Sequence, residues 1–191
     1  MSASGPRPAA RTAPRTDPEL LARLASGQLG ALGDLYDRYQ EPVHTFIARA
    51  TRDAHDVDDL VHATFLAAAQ SAGRYDGRAS CRPWLIGIAA QLLRRRHQSL
   101  ARLVSVLSSL KHTLHPPADP RPALQARTDL ERALTRLSEP KRITLLMAEI
   151  EGLTCPEIAA ALAIPVGTVW TRLHAARHEL RTLLSSPSED A

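Results

Sequence analysis

Residues 152 to 184 read GLTCPEIAAALAIPVGTVWTRLHAARHELRTLL, a short apolar helix, a tight connection from Ala163 to Gly167, and a longer helix. Thr154 followed three residues later by Glu157 is a capping box, and Pro156 stands in the first turn where a missing N–H is harmless, so a helix begins here. In the second helix Val166, Val169, Leu173, Ala176 and Leu180 recur at helical spacing and are expected to form one buried stripe. At roughly 100° per residue, Thr171, His174, Ala175 and His178 point the other way. Trp170, Arg177 and Arg181 flank the stripe on one side and Arg172 on the other, leaving a polar and basic face clear of the core. This is helix-turn-helix grammar, and a helix of that kind fits the major groove of DNA. The same spacing would also serve an ordinary helical hairpin with solvated arginines, so the rest of the chain has to decide.

A chain of 191 residues holds one ordinary domain or two small ones. Strand-like alternation is absent and Ala and Leu dominate, so an all-α fold is expected. The two cysteines, Cys81 and Cys155, suggest neither a disulfide framework nor a zinc site and fit a reducing cytoplasm. No apolar run approaches the roughly 20 residues that span a bilayer. The opening stretch MSASGPRPAARTAPRTDP has no apolar segment of the kind a secretory signal needs.

The formal net charge of +4 hides a sharp segregation. Residues 17–73 carry nine acids against four basic residues, whereas residues 74–111 carry eight basic residues against one acid. An acidic block abutting a basic one predicts two partners, a basic protein surface and a polyanion.

In chain order, residues 1–16 are rich in Pro, Ala and Arg without periodicity and are expected to be a disordered tail. From Asp17 the chain turns helical: Leu20, Leu21 and Leu24 make a short face, Gly27 to Gly30 interrupt it, and Leu32, Leu35, Tyr36, Tyr39, Val43, Phe46 and Ile47 follow at helical spacing. Pro42 should kink that helix or split it. A further helix is expected from about Asp53 to Ser71, with Val57, Leu60, Val61, Phe65 and Ala68 inward and Asp53, Asp56, Asp58 and Asp59 in its first turns. Acids favour a helix N-terminus, but four within seven residues repel one another beyond what capping requires, which points to a basic partner.

Tyr75-Asp76-Gly77-Arg78 reads as a turn, Ser80 as an N-cap, and Pro83 as a first-turn residue of the helix after it. On that helix Trp84, Leu85, Ile88, Leu92 and the stem of Arg96 are expected to face inward. Arg94, Arg95 and Arg96 sit in its C-terminal half; together with Arg74, Arg78, Arg82 and Arg102, and interleaved with Tyr75 and Trp84, they suit an unstacked single strand. Apolar spacing continues through Leu103, Val104, Val106, Leu107 and Leu110 as an extension of the helix. Pro116, Pro117, Pro120 and Pro122 then mark a linker that separates two modules. The second module is expected to begin near Leu124, with one helix through Leu130, Leu134 and Leu137, and another along Ile143, Leu146, Met147 and Ile150 that Gly152 stops.

Two helical modules, a Pro-rich linker, an acidic-then-basic first module and a C-terminal helix-turn-helix together resemble the sigma-70 family of bacterial transcription initiation factors, most closely its two-domain extracytoplasmic-function (ECF) branch. The resemblance covers roughly Leu20 to Leu184 and rests on DVDDLVHATF (56–65), YDGRASCRPWL (75–85), LSEPKR from Leu137, PVGTV (165–169) and TRLH (171–174). It implies an all-α protein with a region 2-like domain over residues 17–110, a linker over 111–123, a region 4-like helix-turn-helix domain over 124–185 and a disordered tail over 186–191. It further implies docking of Asp56, Asp59, Leu60, His62 and Phe65 at or beside the β′ coiled coil of core RNA polymerase, with the second domain near the β flap. Asp76, Gly77, Arg78, Trp84, Arg94, Arg95 and Arg96 would hold the melted −10 element, and Thr168, Trp170, Thr171, Arg172, His174 and Arg177 would read the −35 element. An anti-sigma protein is an implied partner, alongside promoter DNA; no cofactor, no membrane insertion and a cytoplasmic site of action go with it.

Departures from the family pattern fall on the DNA-facing positions. Gln91 and Arg95 stand where Asn and Asp are usual, Cys81 replaces a frequent aromatic, and Trp170 and Ala175 occupy positions often held by Lys or Arg. Two other classes stay open at this point: a polymerase-independent helix-turn-helix regulator, which would need dimer half-sites, and a degenerate sigma-like protein that binds polymerase or an anti-sigma factor without initiating. Enzymatic readings have little support. His174 and His178 are four apart, yet no Glu lies between them in the HExxH arrangement and no further ligand is evident; P-loop, GxSxG and dinucleotide motifs are absent.

Overall fold

The computed structural model describes residues 16–77, 80–110 and 129–185, with the backbone alone over 100–110. The expected linker, both expected tails except Thr16, Arg78 and Leu124 lie outside the described residues. Eight α-helices account for the described fold, and no strand occurs among those residues: α1 (Asp17–Ala25), α2 (Gly30–Ala50), α3 (Val57–Ser71), α4 (Arg82–Leu110), α5 (Asp129–Arg136), α6 (Glu139–Glu149), α7 (Cys155–Leu162) and α8 (Val166–Ser185).

Thr16, expected in the tail, instead opens α1: Glu19 reaches back to accept its backbone N–H at 2.9 Å. The expected break at Pro42 does not divide α2, which runs through it as one helix. Leu35 before the proline and Val43, Phe46 and Ile47 after it are buried in the same core. At about 1.5–3 kcal/mol for each large apolar side chain, their burial outweighs the roughly 3 kcal/mol that an internal proline costs. Asp53 caps a single 3-10 turn (Ala54–Asp56) by accepting the His55 N–H at 3.0 Å, so α3 itself begins at Val57.

The inward face of α4 is wider than its apolar spacing predicts. Leu85, Ile86, Ala89, Ala90 and Leu93 are fully buried, whereas Trp84, Ile88 and Leu92 are only half-buried. The reason is that α4 packs on two sides, against α3 and α2 on one and against α7 on the other. In the second half, Leu130, Ile150 and Val166 are exposed where burial was expected. The short α5 buries Ala133 and Leu134 instead. Ile150 sits past the end of α6, where Gly152 at φ 64° reverses the chain and Leu153 takes the buried place, donating its N–H to Met147 O at 3.0 Å. Val166 lies at the exposed start of α8, whose buried stripe runs from Val169 through Leu173 to Ala176, with Leu180 half-buried.

The two modules, whose relative orientation the sequence leaves open, pack on each other, α4 against α7 and α2 against α6. Their apolar residues form one continuous core from Leu20 to Ala176. Small residues permit the approach: a Cβ added to Gly87 on α4 would stand 3.2 Å from the Cβ of Ala161 on α7.

Candidate nucleic-acid interface

The helix-turn-helix forms as its capping signals require. Thr154 Oγ1 accepts the Glu157 N–H at 3.4 Å while Glu157 accepts the Thr154 N–H at 2.9 Å, which fixes the start of α7. The helix ends at Ala163, a non-glycine residue in the left-handed region at φ 51°, and α8 leaves at 110° to α7. That turn aims the outer face of α8 away from the core. Trp170 is 61% exposed, and Thr171, His174 and His178 are exposed with it. Thr168 and Arg172 are half-buried. Thr171 spends its hydroxyl on Gly167 O at 3.0 Å, and exposed Arg177 is held by Glu149 Oε1 at 2.7 and 2.9 Å.

The candidate −10 surface begins at a left-handed glycine, Gly77 at φ 75°, next to exposed Asp76. Tyr75 meets Trp84 edge-on with ring centroids 5.4 Å apart, so one face of this aromatic pair borders the turn. The start of α4 is anchored by Asp17, which accepts the Cys81 N–H at 2.8 Å together with Tyr39 Oη and an Arg38 guanidinium nitrogen. Burial works against the Asp17 carboxylate, but these three donors outweigh it and hold its pKa below the usual value. The same enclosure pushes the Cys81 thiol up to about 12, through burial first and the neighbouring Asp17 charge second. Nothing in the spacing of residues separated by 64 positions signals this cluster.

Further along α4, Arg95 is exposed. Arg96 donates to Asp56, Arg94 donates to the Leu162 carbonyl, and Arg82 pairs with Glu151 at 2.8 Å. Arg94 also lies close enough to Arg172 that, after burial, its charge is the second cause of a lowered Arg172 pKa. Arg94 and Arg172, one residue from each candidate surface, thus approach each other across the seam between the modules.

On α3 and the 3-10 turn before it, the proposed docking residues separate into two groups. Asp59 and His62 are exposed; Asp56, Leu60 and Phe65 are buried, Asp56 against Arg96. Tyr36 stacks on His62 with centroids 6.2 Å apart and tilts onto Phe65 at 4.8 Å, so Phe65 supports the outer face from behind. The outward row is Asp58, Asp59, His62 and Leu66, the last 59% exposed. Leu66 went unnoticed among the site residues; an apolar residue four after His62 on the polar side of the helix is the signal that would have found it. Among the described residues no group of three or more His, Cys, Asp or Glu is placed to hold a metal ion, and no single helix is long and apolar enough to cross a membrane.

Residues 35–103 match the family model for sigma-70 region 2, and residues 127–180 match that for sigma-70 region 4. The chain is 35% identical to the RNA polymerase sigma factor CarQ of Myxococcus xanthus, over 86% of this chain and 95% of that protein. It is 28% identical to the ECF RNA polymerase sigma factor SigM of Mycobacterium tuberculosis, over 89% of this chain and 85% of that one. Among solved structures, CnrH in complex with the cytosolic domain of CnrY superposes with a TM-score of 0.60 at 26% identity, covering 90% of this chain and 99% of that chain.

Proposed function

The chain belongs to the sigma-70 family, in its ECF branch, and from that premise we propose that it binds core RNA polymerase, recognises promoters through two helical surfaces and supports strand opening. The observation that carries this reading is the order of the two matches, region 2 over the acidic α3 and basic α4, then region 4 over the helix-turn-helix. Polymerase performs the chemistry; the sigma subunit supplies binding energy that differs between closed and open DNA.

In this reading the outward row Asp58, Asp59, His62 and Leu66 docks on a basic coiled coil of the β′ subunit. The outer face of α8, with exposed Thr171, His174 and Arg177 and half-buried Arg172, enters the −35 major groove, and Thr168 and Trp170 border it. The turn at Asp76 and Gly77, with Trp84 and the arginines of α4, holds the unstacked −10 strand, where aromatic stacking contributes about 1–3 kcal/mol per base. An anti-sigma protein regulates the chain in this reading. The site of action is the cytoplasm, where polymerase works.

Co-elution of the full chain with bacterial core polymerase at about 150 mM salt tests the proposal, with Asp59→Arg as its control. Wild-type co-elution lost in the variant supports it. A folded chain that ignores core polymerase yet binds duplex DNA alone would overturn it in favour of a polymerase-independent regulator.

A further inference from the structure

We propose that α8 reads thymine: Trp170, with Val166 and Thr171 beside it, packs apolar surface against the 5-methyl groups of adjacent thymines in the major groove of the −35 element. The inference rests on the sigma reading given above and adds a base preference to it.

In a helix-turn-helix, residues near the N-terminal end of the second helix are the ones that meet base edges. In the first two turns of α8 the exposed residues are Val166, Gly167, Trp170, Thr171 and His174. Guanine is read in the major groove by the paired donors of Arg or by Lys, and adenine by Asn or Gln. None of these residue types stands among the five. Arg172 is half-buried beside Arg94, and Arg177, further along the helix, is held by Glu149.

What the face offers instead is apolar. The Trp170 side chain is 61% exposed, and among the described residues its indole makes no hydrogen bond or ring contact and does not pack on the core. Val166, one turn earlier on the same row, is 44% exposed. Thr171 donates its hydroxyl proton to Gly167 O at 3.0 Å, which leaves its methyl group and no donor for a base. The thymine methyl is the one apolar group on the major-groove edge of the four bases. The indole N–H is a single donor that guanine and thymine acceptors would satisfy equally, so the choice between them falls to the apolar area.

Gly167 gives the duplex room to approach. Its backbone is not left-handed, and a Cβ added there would meet nothing within 4 Å. Neither conformation nor packing inside the fold therefore requires glycine, which is weaker than alanine within a helix. At roughly 100° per residue, the directions of Trp170 and Thr171 fall on either side of that of Gly167. The missing side chain leaves a notch beside the indole where a methyl group on the groove floor fits.

The test uses the full chain assembled with core polymerase to select from a duplex pool randomised through the promoter region. The upstream element of the selected duplexes should contain adjacent thymines. Replacing each of these by deoxyuridine removes only the 5-methyl, and at one or two positions this should weaken wild-type binding about fourfold, the effect of one buried methylene-sized group. Trp170→Phe should keep that discrimination, because it lacks the N–H but retains an apolar ring. Trp170→Ala should bind the thymine and uracil duplexes alike, and Gly167→Ala should raise the thermal midpoint while weakening both. An upstream element without thymine, or wild-type protein that binds the two duplexes equally, overturns the inference and leaves the sigma reading intact. Full thymine discrimination in Trp170→Ala, or loss of core affinity instead of base preference in that variant, overturns it as well. A chain that neither co-elutes with core polymerase nor selects any sequence with it overturns both.

Discussion

The Nε of Arg142, a side chain with no exposed surface, donates across the module seam to the carbonyl of Ala50 at 2.8 Å. The same guanidinium lies 3.4 Å from Leu134 O and 3.5 Å from Thr135 O, so one cation meets the C-terminal carbonyls of both α2 and α5. Arg142→Met should therefore lower stability by about 3 kcal/mol, because it strands buried acceptors and loosens the seam. Arg142→Lys should restore little, since a single ammonium cannot span both helix ends. Urea denaturation of the three proteins checks this; a loss under 1 kcal/mol in the Met variant would show that the seam contributes little.

Asp17 ties α1 to α2 and to the start of α4 through Arg38, Tyr39 and the Cys81 N–H. Its folded pKa lies below the ordinary 3.8, so its contribution is fully present above that value and is lost as pH falls through the folded pKa. Asp17→Asn should cost about 1–3 kcal/mol at pH 7. The difference from wild type should shrink as the pH drops below 3.8, which thermal melts across pH 2.5–7 would measure. A gap that stays constant with pH would mean that shape, not charge, matters at this position.

Cys81 and Cys155 should differ in reactivity for a related reason. Thiolate is the reactive form, and Cys81 is buried with its thiol pushed up to about 12, whereas Cys155 is half-buried at the start of α7. Iodoacetamide at pH 8 should label Cys155 at least tenfold faster in the folded chain, and the two rates should converge in urea. Peptide mass mapping reads the ratio directly.

How far the sequence carries depends on the range of the interaction that decides each feature. Local ones were legible: the Thr154–Glu157 box, the left-handed Gly77 and Gly152, and the Val169, Leu173, Ala176 stripe all follow from residues within a few turns of one another. Spacing places Ile150 inside because the pattern continues past the end of α6 while the helix does not, and it places Val166 inside because spacing alone does not tell that the first turn of α8 stands clear of the core. The contact between the modules is not legible in the sequence, because Gln91 reads as a substitution on the DNA face and Arg94 as part of a basic cluster until α7 is laid against them. For the same reason the Arg96 partner of Asp56, an expected docking acid, is not legible in the sequence.

The inward turn of Asp56 onto Arg96 separates two kinds of acid around the start of α3. Asp59 is exposed on the row with His62 and Leu66, so Asp59→Arg and Leu66→Asp should weaken core polymerase binding by about tenfold each without changing the thermal midpoint. Asp56→Ala should act the other way round, reducing stability by freeing Arg96 while leaving core affinity within about twofold. Fluorescence anisotropy with labelled protein and core enzyme, paired with melts, separates the two effects. Strong loss of core affinity in a stable Asp56→Ala variant would place that carboxylate at the polymerase contact after all.

Arg177 tests whether the outer face of α8 meets DNA. Its pair with Glu149 has both side chains about half exposed at 2.7 Å, and such a pair contributes at most about 1 kcal/mol to stability. Glu149→Gln should therefore leave the melting curve almost unchanged while releasing Arg177, and promoter affinity in the polymerase complex should rise modestly. Arg177→Ala should do the reverse. If Arg177 contacts phosphate, the salt dependence of binding falls by about one in slope and every promoter weakens alike; if it contacts a base, promoters weaken by about 1–3 kcal/mol only where that base is present. Binding measured across 50–200 mM salt on several promoters distinguishes the two, and a variant indistinguishable from wild type on both counts would remove Arg177 from the interface.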